Sequence, residues 1–222
     1  MAKVVVLVSG GMDSAVLLWL LKKDNDVHAL SVHYGQRHAK ELAAAKILCE
    51  IAKVSHQEID LRAVRVLLSG SSQTDDQVAV PTGHYADPVM RLTVVPNRNM
   101  MMLSVAAAAA IGWGGPEPKA VAFAAHAGDH PVYPDCREEF VAALGGAMRL
   151  CHYDGGVSLV APFLDKTKAD LAKLGAELRV PFAKTWSCYC GEERHCGRCG
   201  TCVERREAFH LAGVPDPTEY AE

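Results

Sequence analysis

Six residues near the amino terminus, SGGMDS at 9–14, have the composition of a phosphate-binding turn. Their glycines allow left-handed backbone angles and leave no Cβ in the way of a ligand. The unpaired N–H groups at the start of a following helix would then face an anion. The segment has neither the Gly-Lys-Ser/Thr of a P-loop nor the spacing of GxGxxG. A plain glycine-rich connection between a strand and a helix is the alternative interpretation.

A second group with chemical potential is the set of five cysteines between 188 and 202. Four of them follow the spacing C-x7-C-x2-C-x2-C, which suits four thiolates around a tetrahedral structural zinc ion: Cys188, Cys196, Cys199 and Cys202. An iron–sulfur cluster is the rival, because C-x2-C-x2-C also occurs in ferredoxins. Cys190 is either a spare thiol or replaces Cys188, and His195 is either a further ligand or a solvated neighbour. Free structural thiols are the third alternative.

The elements that must position these groups follow from the alternation of apolar runs and helical patterns. An apolar run at 3–8 precedes the turn, and a helical pattern follows it. Further strands are predicted at 27–34, 55–61, 120–126 and 157–162, and further helices at 39–53, 97–113, 137–150 and 167–178. This alternation predicts an α/β fold: a doubly wound, mainly parallel sheet with helices on both faces. Ligands in such sheets bind beyond the carboxyl ends of the strands, where the motif loops lie.

Length and composition limit the possible classes of protein. At 222 residues and 50% hydrophobic content, one domain is expected, with a nucleotide-binding core at 1–180 and a zinc-binding element at 181–222. Residues 69–95 are rich in Ser, Thr, Asp, Gly and Pro, which indicates a mobile loop or lid. A net charge of −3 without long basic runs does not favour nucleic acid as a partner. With neither a signal-peptide pattern nor a membrane span, we expect a cytoplasmic protein.

The turn resembles the PP-loop of ATP pyrophosphatases, enzymes that hold ATP by its pyrophosphate and transfer AMP to a substrate oxygen. More of the chain resembles the 7-cyano-7-deazaguanine synthase (QueC) family. The motifs that carry this resemblance occur in order: HYGQRH at 33–38, PNRN at 96–99, YPDCR at 133–137, TK at 167–168, WSCY at 186–189, CGxCxxC at 196–202 and DPTxY at 216–220. Each motif is weak alone, but their order together with the PP-loop and the cysteines is specific.

The resemblance implies a reaction: 7-carboxy-7-deazaguanine and ammonia are converted to the nitrile, on the route to queuosine and related deazapurines. Adenylation gives the carboxylate a leaving group, ammonia forms the amide, and a second adenylation allows loss of AMP. The implied cosubstrate is ATP with Mg²⁺, and the implied metal is structural zinc. The family also implies a homodimer.

The resemblance further implies which residues bind ATP. They are those of the turn and of the helix that follows it: Val8, Ser9, Gly10, Gly11, Met12, Asp13, Ser14, Ala15, Val16, Leu17 and Leu18. Asp13, Arg98 and Lys168 are expected to be catalytic. Asp13 either helps to hold Mg²⁺ or caps the helix. Lys168 would stabilise the charge that builds on the phosphate during adenylyl transfer.

Six residues are expected to bind the substrates: Arg37, Arg98, Asn99, Asp129, Asp135 and Arg137. Arg37 either contacts phosphate or the substrate carboxylate, or is an exposed arginine at a helix start. Arg98 and Asn99 either contact phosphate or base, or cap the following helix. Asp135 suits the guanine-like N–H edge, and Arg137 suits the carboxylate.

One stretch departs from the family pattern. Residues 126–132 read HAGDHPV, whereas many members carry an asparagine near 126 and Tyr-Ser-Gly at 130–132. His126 and His130 are either acid–base groups or pocket lining. The altered stretch also leaves open a relative's reaction, in which the activated deazaguanine acid is attached to a protein. A PP-loop tRNA sulfurtransferase and a nucleotide-binding regulator without turnover are more distant rivals.

Overall fold

The computed structural model of the protein describes residues 1–115, 117, 119–153 and 155–221. Within them lies a five-stranded parallel sheet in the order β3-β2-β1-β4-β5. Its strands are β1 (Lys3–Leu7), β2 (Asp26–His33), β3 (Ser55–Asp60), β4 (Lys119–Ala122) and β5 (Ser158–Val160). The α-helices are α1 (Met12–Leu21), α2 (Lys40–Ala52), α3 (Arg98–Gly112), α4 (Glu138–Arg149), α5 (Lys168–Glu177) and α6 (Gly200–Ala212).

The central strand β1 shows why helices cover both faces of the sheet. Successive side chains of a strand point to opposite faces. Val4 and Val6 therefore pack with α1, α2, α5 and α6 in one buried cluster, whereas Val5 packs with α3 and α4 in another. A parallel sheet buried on both faces with helices on each side is a doubly wound fold. The predicted fold class is confirmed.

Two differences from the sequence prediction concern the site. Strand β4 ends at Ala122, before the predicted 126, because the chain turns there into a short 3₁₀ helix, Ala127–Asp129. Helix α6 was not predicted, because its apolar residues follow the helical period only weakly and its first turn lies within the cysteine cluster. Residues 69–95 are mainly irregular, as expected, but include a 3₁₀ helix at Pro88–Thr93. The segment packs on the rest of the molecule, with Met90 buried; its mobility stays a prediction.

The connections create a switch point at the carboxyl edge of the sheet. From β1 the chain proceeds outward to β2 and β3, and then returns across the sheet through α3 to β4. The loops after β1 and β4 consequently leave in opposite directions and open a crevice between them. Across the described residues, no helix is both long and apolar enough to cross a bilayer.

Candidate active site at the sheet edge

The backbone of the turn after β1 packs tightly against α2 and against Trp186. Gly10 has a φ of 91°, and a Cβ there would collide with the carbonyl oxygen of Glu41 in α2. The amide N of Trp186 donates to the carbonyl oxygen of Gly10 at 2.8 Å. Only glycine satisfies both the backbone angle and the close approach of α2. The next residue, Gly11, is the N-cap of α1 and has no side chain to occupy the first amides of that helix.

Two serines fix the shape of the turn. The Ser14 hydroxyl donates to the carbonyl oxygen of Gly11 at 3.1 Å, and the amide N of Ser9 donates to the Ser14 oxygen at 3.2 Å. The two hydroxyl oxygens are also 3.2 Å apart. Ser9, Gly11 and Ser14 line the main cavity at this edge. The turn therefore presents hydroxyls and backbone N–H groups to one cavity, as an anion site requires.

A cluster of charges stands beside the turn. Lys168 Nζ, at the start of α5, lies 3.2 Å from Asp13 Oδ2 and 2.6 Å from Glu204 Oε2 in α6. All three side chains line the cavity. Burial alone would lower the pKa of the Lys168 amine, but Asp13 and Glu204 raise it well above its usual range. Lys168 is therefore an ammonium ion at the mouth of the turn.

The carboxyl of Asp13 stays ionised in spite of its surroundings. Burial would raise the pKa of Asp13, but Lys168, His126 and Arg205 outweigh it and lower the pKa. For Glu204 the balance is reversed: burial raises its pKa although Lys168 opposes the shift. Both carboxylates are in hydrogen-bond or ion-pair contact with the same ammonium, so we regard Lys168 as the shared cation of the cluster.

His126 lies behind this cluster, with only 1% of its surface exposed. Its Nδ1 accepts the N–H of Gly128 at 3.1 Å, which places the proton of the neutral ring on Nε2. That Nε2 is 3.8 Å from Asp13 Oδ2 and 3.6 Å from Asp129 Oδ2. His126 is not among the residues that line the cavity, so the pocket-lining alternative is not supported. Its role as an acid–base group stays a prediction.

A second part of the cavity wall, which we call the tyrosine end, is built from phenols around one guanidinium. Tyr34, Tyr133 and Tyr189 line it together with Arg98. The guanidinium carbon of Arg98 is 5.7 Å from the centre of the Tyr133 ring, and its Nε donates to Asn99 Oδ1 at 3.3 Å. Burial raises the pKa of Tyr34 to about 12, so this phenol is neutral. Among the described residues, no carboxylate forms an ion pair with Arg98.

Glu41 also lines this part of the cavity. Its Oε1 accepts a hydrogen bond from Gln36 Nε2 at 2.9 Å, and Gln36 Oε1 accepts the N–H of Tyr34 at 3.0 Å. Burial raises the pKa of the Glu41 carboxyl to about 7, although Gln36 and Arg98 oppose the shift. A carboxyl that titrates near neutrality thus faces the cavity.

The predicted substrate residues fall into two groups. Arg98, Asn99 and Asp129 line the cavity, and the Tyr85 hydroxyl donates to Asp129 Oδ1 at 3.5 Å. Asp135 instead accepts the amide N–H of Asn99 at 3.3 Å, so it caps the start of α3. It is not among the residues that line the cavity.

Two arginines that were predicted to bind substrate lie outside the cavity wall and donate to backbone carbonyls instead. Arg37 donates to the carbonyl oxygens of Asp75 and Val78 at 2.8 and 3.0 Å, so it holds the irregular segment in place. Arg137 donates to the carbonyl oxygen of His130 at 2.9 Å and is exposed. Neither guanidinium lines the cavity. The expected contacts of Arg37 and Arg137 to a substrate are therefore not supported by this geometry.

Only some of the residues predicted to bind ATP line the cavity. Val8, Ser9, Gly11, Met12, Asp13 and Ser14 line the cavity. The helix continues into the core with the side chains of Ala15, Val16, Leu17 and Leu18, which are all fully buried against the sheet. Gly10 supports the turn from behind through its contact with α2. The later residues thus anchor α1, because a helix beneath a sheet must bury its apolar face.

The predicted zinc-binding element at 181–222, called the cysteine element below, adjoins the cavity through Trp186 and Tyr189. The thiols of Cys188, Cys190, Cys196 and Cys199 lie within 4.8 Å of one another. Zinc–sulfur bonds of about 2.3 Å in a tetrahedron place sulfurs about 3.8 Å apart, so the donor set fits zinc. The amide N–H groups of Cys190 and Cys196 donate to Cys188 Sγ at 3.4 and 3.3 Å, as expected around a metal-binding thiolate.

The structure offers two candidates for the fourth metal ligand, the predicted Cys202 and Cys190. Cys202 is fully buried, and its thiol is hydrogen-bonded with those of Cys188 and Cys199. The group of mutually close thiols nevertheless contains Cys190 in place of Cys202. His195 is excluded as a ligand through Nε2, because this nitrogen accepts the N–H of Ser187 at 3.1 Å. The ring is buried rather than solvated, and burial lowers the pKa of His195 to about 4.

A model of the family described as "Queuosine biosynthesis protein QueC" matches residues 3–213. The chain belongs to the QueC family. It is 50% identical over 223 residues to the proteins named 7-cyano-7-deazaguanine synthase of Brucella ovis and Brucella suis. These alignments cover 99% of the chain and 94% of each relative. The resemblance found in the sequence motifs is thus confirmed along nearly the whole chain.

Solved structures with little sequence identity share the fold of this QueC family member. An NMN synthetase from Francisella tularensis superposes with a TM-score of 0.51 at 17% identity, over 96% of this chain and 78% of its own. The U34-tRNA thiolase NcsA from Methanococcus maripaludis, solved with its [4Fe-4S] cluster, gives 0.52 at 15% identity, over 99% and 74%. At this identity the likeness concerns the fold alone.

Several residues of the site were missed in the sequence. Glu204 follows the last cysteine of the cluster, and no spacing connects it to Lys168 36 residues earlier. Tyr34, Gln36 and Glu41 lie in or just after the HYGQRH motif, which could have indicated a cavity wall. Tyr85 comes from the irregular segment, where a lone aromatic residue among polar ones was the available signal.

Proposed function

We propose that this QueC family member converts 7-carboxy-7-deazaguanine and ammonia to 7-cyano-7-deazaguanine at the expense of ATP. One observation carries the proposal: a single cavity is lined both by the PP-loop with Lys168 and by Arg98 with three tyrosines. An adenylating enzyme needs these two environments side by side, because a substrate oxygen must reach the α-phosphate. The family membership and the Brucella relatives support the choice of substrate.

The proposed reaction proceeds through two adenylations. A carboxylate oxygen of the acid attacks the α-phosphate of ATP, and pyrophosphate leaves. Ammonia then adds to the acyl carbon and displaces AMP, which gives the amide after loss of a proton. In the second round the amide oxygen attacks another ATP, and pyrophosphate leaves again. Loss of AMP and of the remaining amide protons yields the nitrile, so the enzyme would be a carbon–nitrogen ligase that releases AMP and pyrophosphate.

At the ATP end, Ser9, Gly11 and Ser14 would hold the pyrophosphate through N–H groups and hydroxyls. The Lys168 ammonium would balance the negative charge that develops during adenylyl transfer. Asp13 Oδ1 is buried without a hydrogen-bond partner among the described residues, which fits a ligand of Mg²⁺. When bound, Mg²⁺ supplies charge neutralisation at the phosphates.

At the substrate end, the flat deazaguanine ring would lie among the tyrosines, and Arg98 would receive a carboxylate or phosphate oxygen. Asn99 and Asp129 complete this wall. Asp135, Arg37 and Arg137 would act only indirectly, since their side chains hold backbone groups. Cys136 does not act as a nucleophile in this proposal, because burial raises the pKa of its thiol and the chemistry needs no covalent intermediate.

The remaining proposals concern organisation. We regard 1–222 as one domain, in which 1–180 form the nucleotide-binding core and 181–222 the zinc-binding element. Zinc would stabilise the element that carries Trp186 and Tyr189 to the cavity. A homodimer in the cytoplasm remains the expectation from the family. Substrates are small molecules, and a net charge of −3 offers no support for a nucleic-acid partner.

The deciding experiment incubates the purified protein with ATP, Mg²⁺, ammonium and 7-carboxy-7-deazaguanine and follows bases and nucleotides by mass spectrometry. We expect the nitrile together with two AMP per nitrile. Accumulation of amide alone, or AMP without nitrile, would contradict the complete reaction and favour transfer to another acceptor. Omission of ammonium is the matched control, and it should stop the reaction before the amide.

A further inference from the structure

One acid in the site has no assigned role. Glu204 lines the cavity, is 9% exposed, and places Oε2 2.6 Å from Lys168 Nζ. This contact is shorter than the 3.2 Å between the same ammonium and Asp13 Oδ2. The short distance and the burial make it a charge-assisted hydrogen bond between groups that water screens poorly.

The geometry around Lys168 explains why a second carboxylate would be useful. An ammonium has three N–H donors. Glu204 accepts one of them, and Asp13 forms an ion pair with the same ammonium. The two carboxylates come from different elements, α6 and α1. Two fixed contacts restrict the otherwise flexible four-carbon side chain. Because Lys168 lines the cavity, a remaining N–H could donate to the phosphate of the proposed reaction.

Glu204 is itself held firmly in place. A Cβ on Gly128 would lie 3.3 Å from Glu204 Oε1 and 2.9 Å from His126 Cε1, so the loop after β4 packs closely on both side chains. The neighbouring Arg205 is fully buried; it donates to Thr185 Oγ1 at 2.7 Å and pairs with Asp216 at 3.2 Å. Helix α6 is thus tied through Arg205 to the segments that precede and follow it in the chain, next to the residue that contacts Lys168.

We propose that Glu204 is a positioning residue that, together with Asp13, directs a remaining N–H of Lys168 toward the transferring phosphate. Glu204 acts through Lys168 and does not touch the substrates. The inference rests on the proposed function, in which Lys168 stabilises adenylyl transfer. It also gives helix α6 of the cysteine element a task in catalysis, because that helix delivers Glu204 to the PP-loop.

The test compares Glu204→Gln with Glu207→Gln, an exposed change one turn further along α6 at a residue that pairs with His84. Substrate-dependent ATP–pyrophosphate exchange and AMP release would give kcat and the KM for ATP. We expect Glu204→Gln to lower kcat about 30-fold, with the KM for ATP changed less than about threefold, because the loss is in transition-state stabilisation. Glu207→Gln should match the wild type.

A double-mutant cycle separates positioning from general damage. If Glu204 acts through Lys168, Lys168→Met combined with Glu204→Gln should be no slower than Lys168→Met alone, within about twofold. Metal content and Tm of Glu204→Gln should equal those of Glu207→Gln.

Three results would overturn the inference. The first is a kcat for Glu204→Gln within threefold of wild type. The second is an equal, additive loss on the Lys168→Met background, and the third is loss of bound metal that parallels the loss of kcat. A wild-type preparation that forms no nitrile would instead contradict the proposed function. The ratios of variant to wild-type kcat in pyrophosphate exchange test the role of Glu204 alone.

Discussion

The two parts of the cavity wall, the PP-loop end with Lys168 and the tyrosine end with Arg98, differ in whether a carboxylate pairs with the cation. At the PP-loop end, the Lys168 ammonium is 2.6 Å from one carboxylate and 3.2 Å from another. At the tyrosine end, the Arg98 guanidinium has an amide oxygen at 3.3 Å and an aromatic ring at 5.7 Å, and none of the described carboxylates pairs with it. Arg98 is partly buried, and a cation removed from water without a counter-ion is costly. The difference indicates that Lys168 is held in position by the protein, whereas Arg98 is left available for an anionic ligand.

The largest effect is expected from breaking the paired end. Lys168→Met removes the ammonium that would stabilise adenylyl transfer, so kcat for AMP formation should fall about 1,000-fold. Steady-state AMP release under saturating ATP would measure it. Lys166→Met is the matched control, because Lys166 is nearly half exposed and pairs with Asp165. An equal loss in both variants would mean that charge near the site, rather than the placement of Lys168, matters.

Loss of the metal should disturb both ends together, since the cysteine element contributes Tyr189 to one and Glu204 to the other. Cys202→Ala should lose bound zinc and lower the free energy of unfolding by several kcal/mol. Cys190→Ala should keep the metal, because Cys190 is only half-buried whereas Cys202 is fully buried among thiols. Metal analysis and thermal unfolding would compare them with Cys151→Ala, an exposed cysteine outside the element. The reverse order of the two cluster variants would identify Cys190 as the fourth ligand.

Near the tyrosine end, Glu41 predicts a dependence of stability on pH. Its pKa is raised by burial to about 7 from an ordinary 4.5, so between these values the folded state binds the extra proton. Stability should therefore fall as pH rises from about 4.5 to about 7. Glu41→Gln should remove a part of this loss, on the order of 2 kcal/mol. Urea unfolding at pH 5 and pH 8 measures it, with the exposed Glu50→Gln of α2 as control. A variant that follows the wild type at both pH values would show that Glu41 is not buried as a neutral acid.

The smallest effect is expected from removing the unpaired cation. Arg98→Met should raise the KM for the deazaguanine acid about tenfold and change the KM for ATP much less, because one charged hydrogen bond to a ligand is lost. Initial rates over both substrate concentrations would separate the two constants. Arg62→Met is a suitable control, since Arg62 is exposed and pairs with Asp60. A larger rise in the KM for ATP would place Arg98 on the nucleotide instead.

The PP-loop end shows how far local sequence reaches. The run before Ser9, the glycines and the helical pattern after them predicted strand, turn and helix, and all three are present. Each depends on neighbours in sequence: a backbone angle that glycine tolerates, and an apolar face that recurs every few residues. The sequence did not predict which of the residues 8–18 line the cavity, because the burial of Val16 and Leu17 depends on how α1 packs beneath the sheet.

Helix α6 and its Glu204 show where that reach ends. The cysteine spacing indicated a metal, but gave no sign that the same segment continues as a helix into the active site. Arg37 and Asp135 show the converse, since motif residues that looked like ligand contacts are engaged by backbone groups. Which partner a long polar side chain selects depends on groups brought near by folding.

The sequence by itself determined the fold class, the family and the two chemical groups, PP-loop and cysteines. These follow from local periodicity, from glycines and from short spacings, all of which depend only on residues that are close in sequence. Only the tertiary structure decided that Asp13 and Glu204 share the Lys168 ammonium and that Arg98 forms no ion pair with a carboxylate of the described residues. Those contacts join α1, α5, α6 and the start of α3, and the sheet order brings their ends to one edge. The energy of a buried charge depends on neighbours within a few ångströms in space, and their distance along the chain does not enter it.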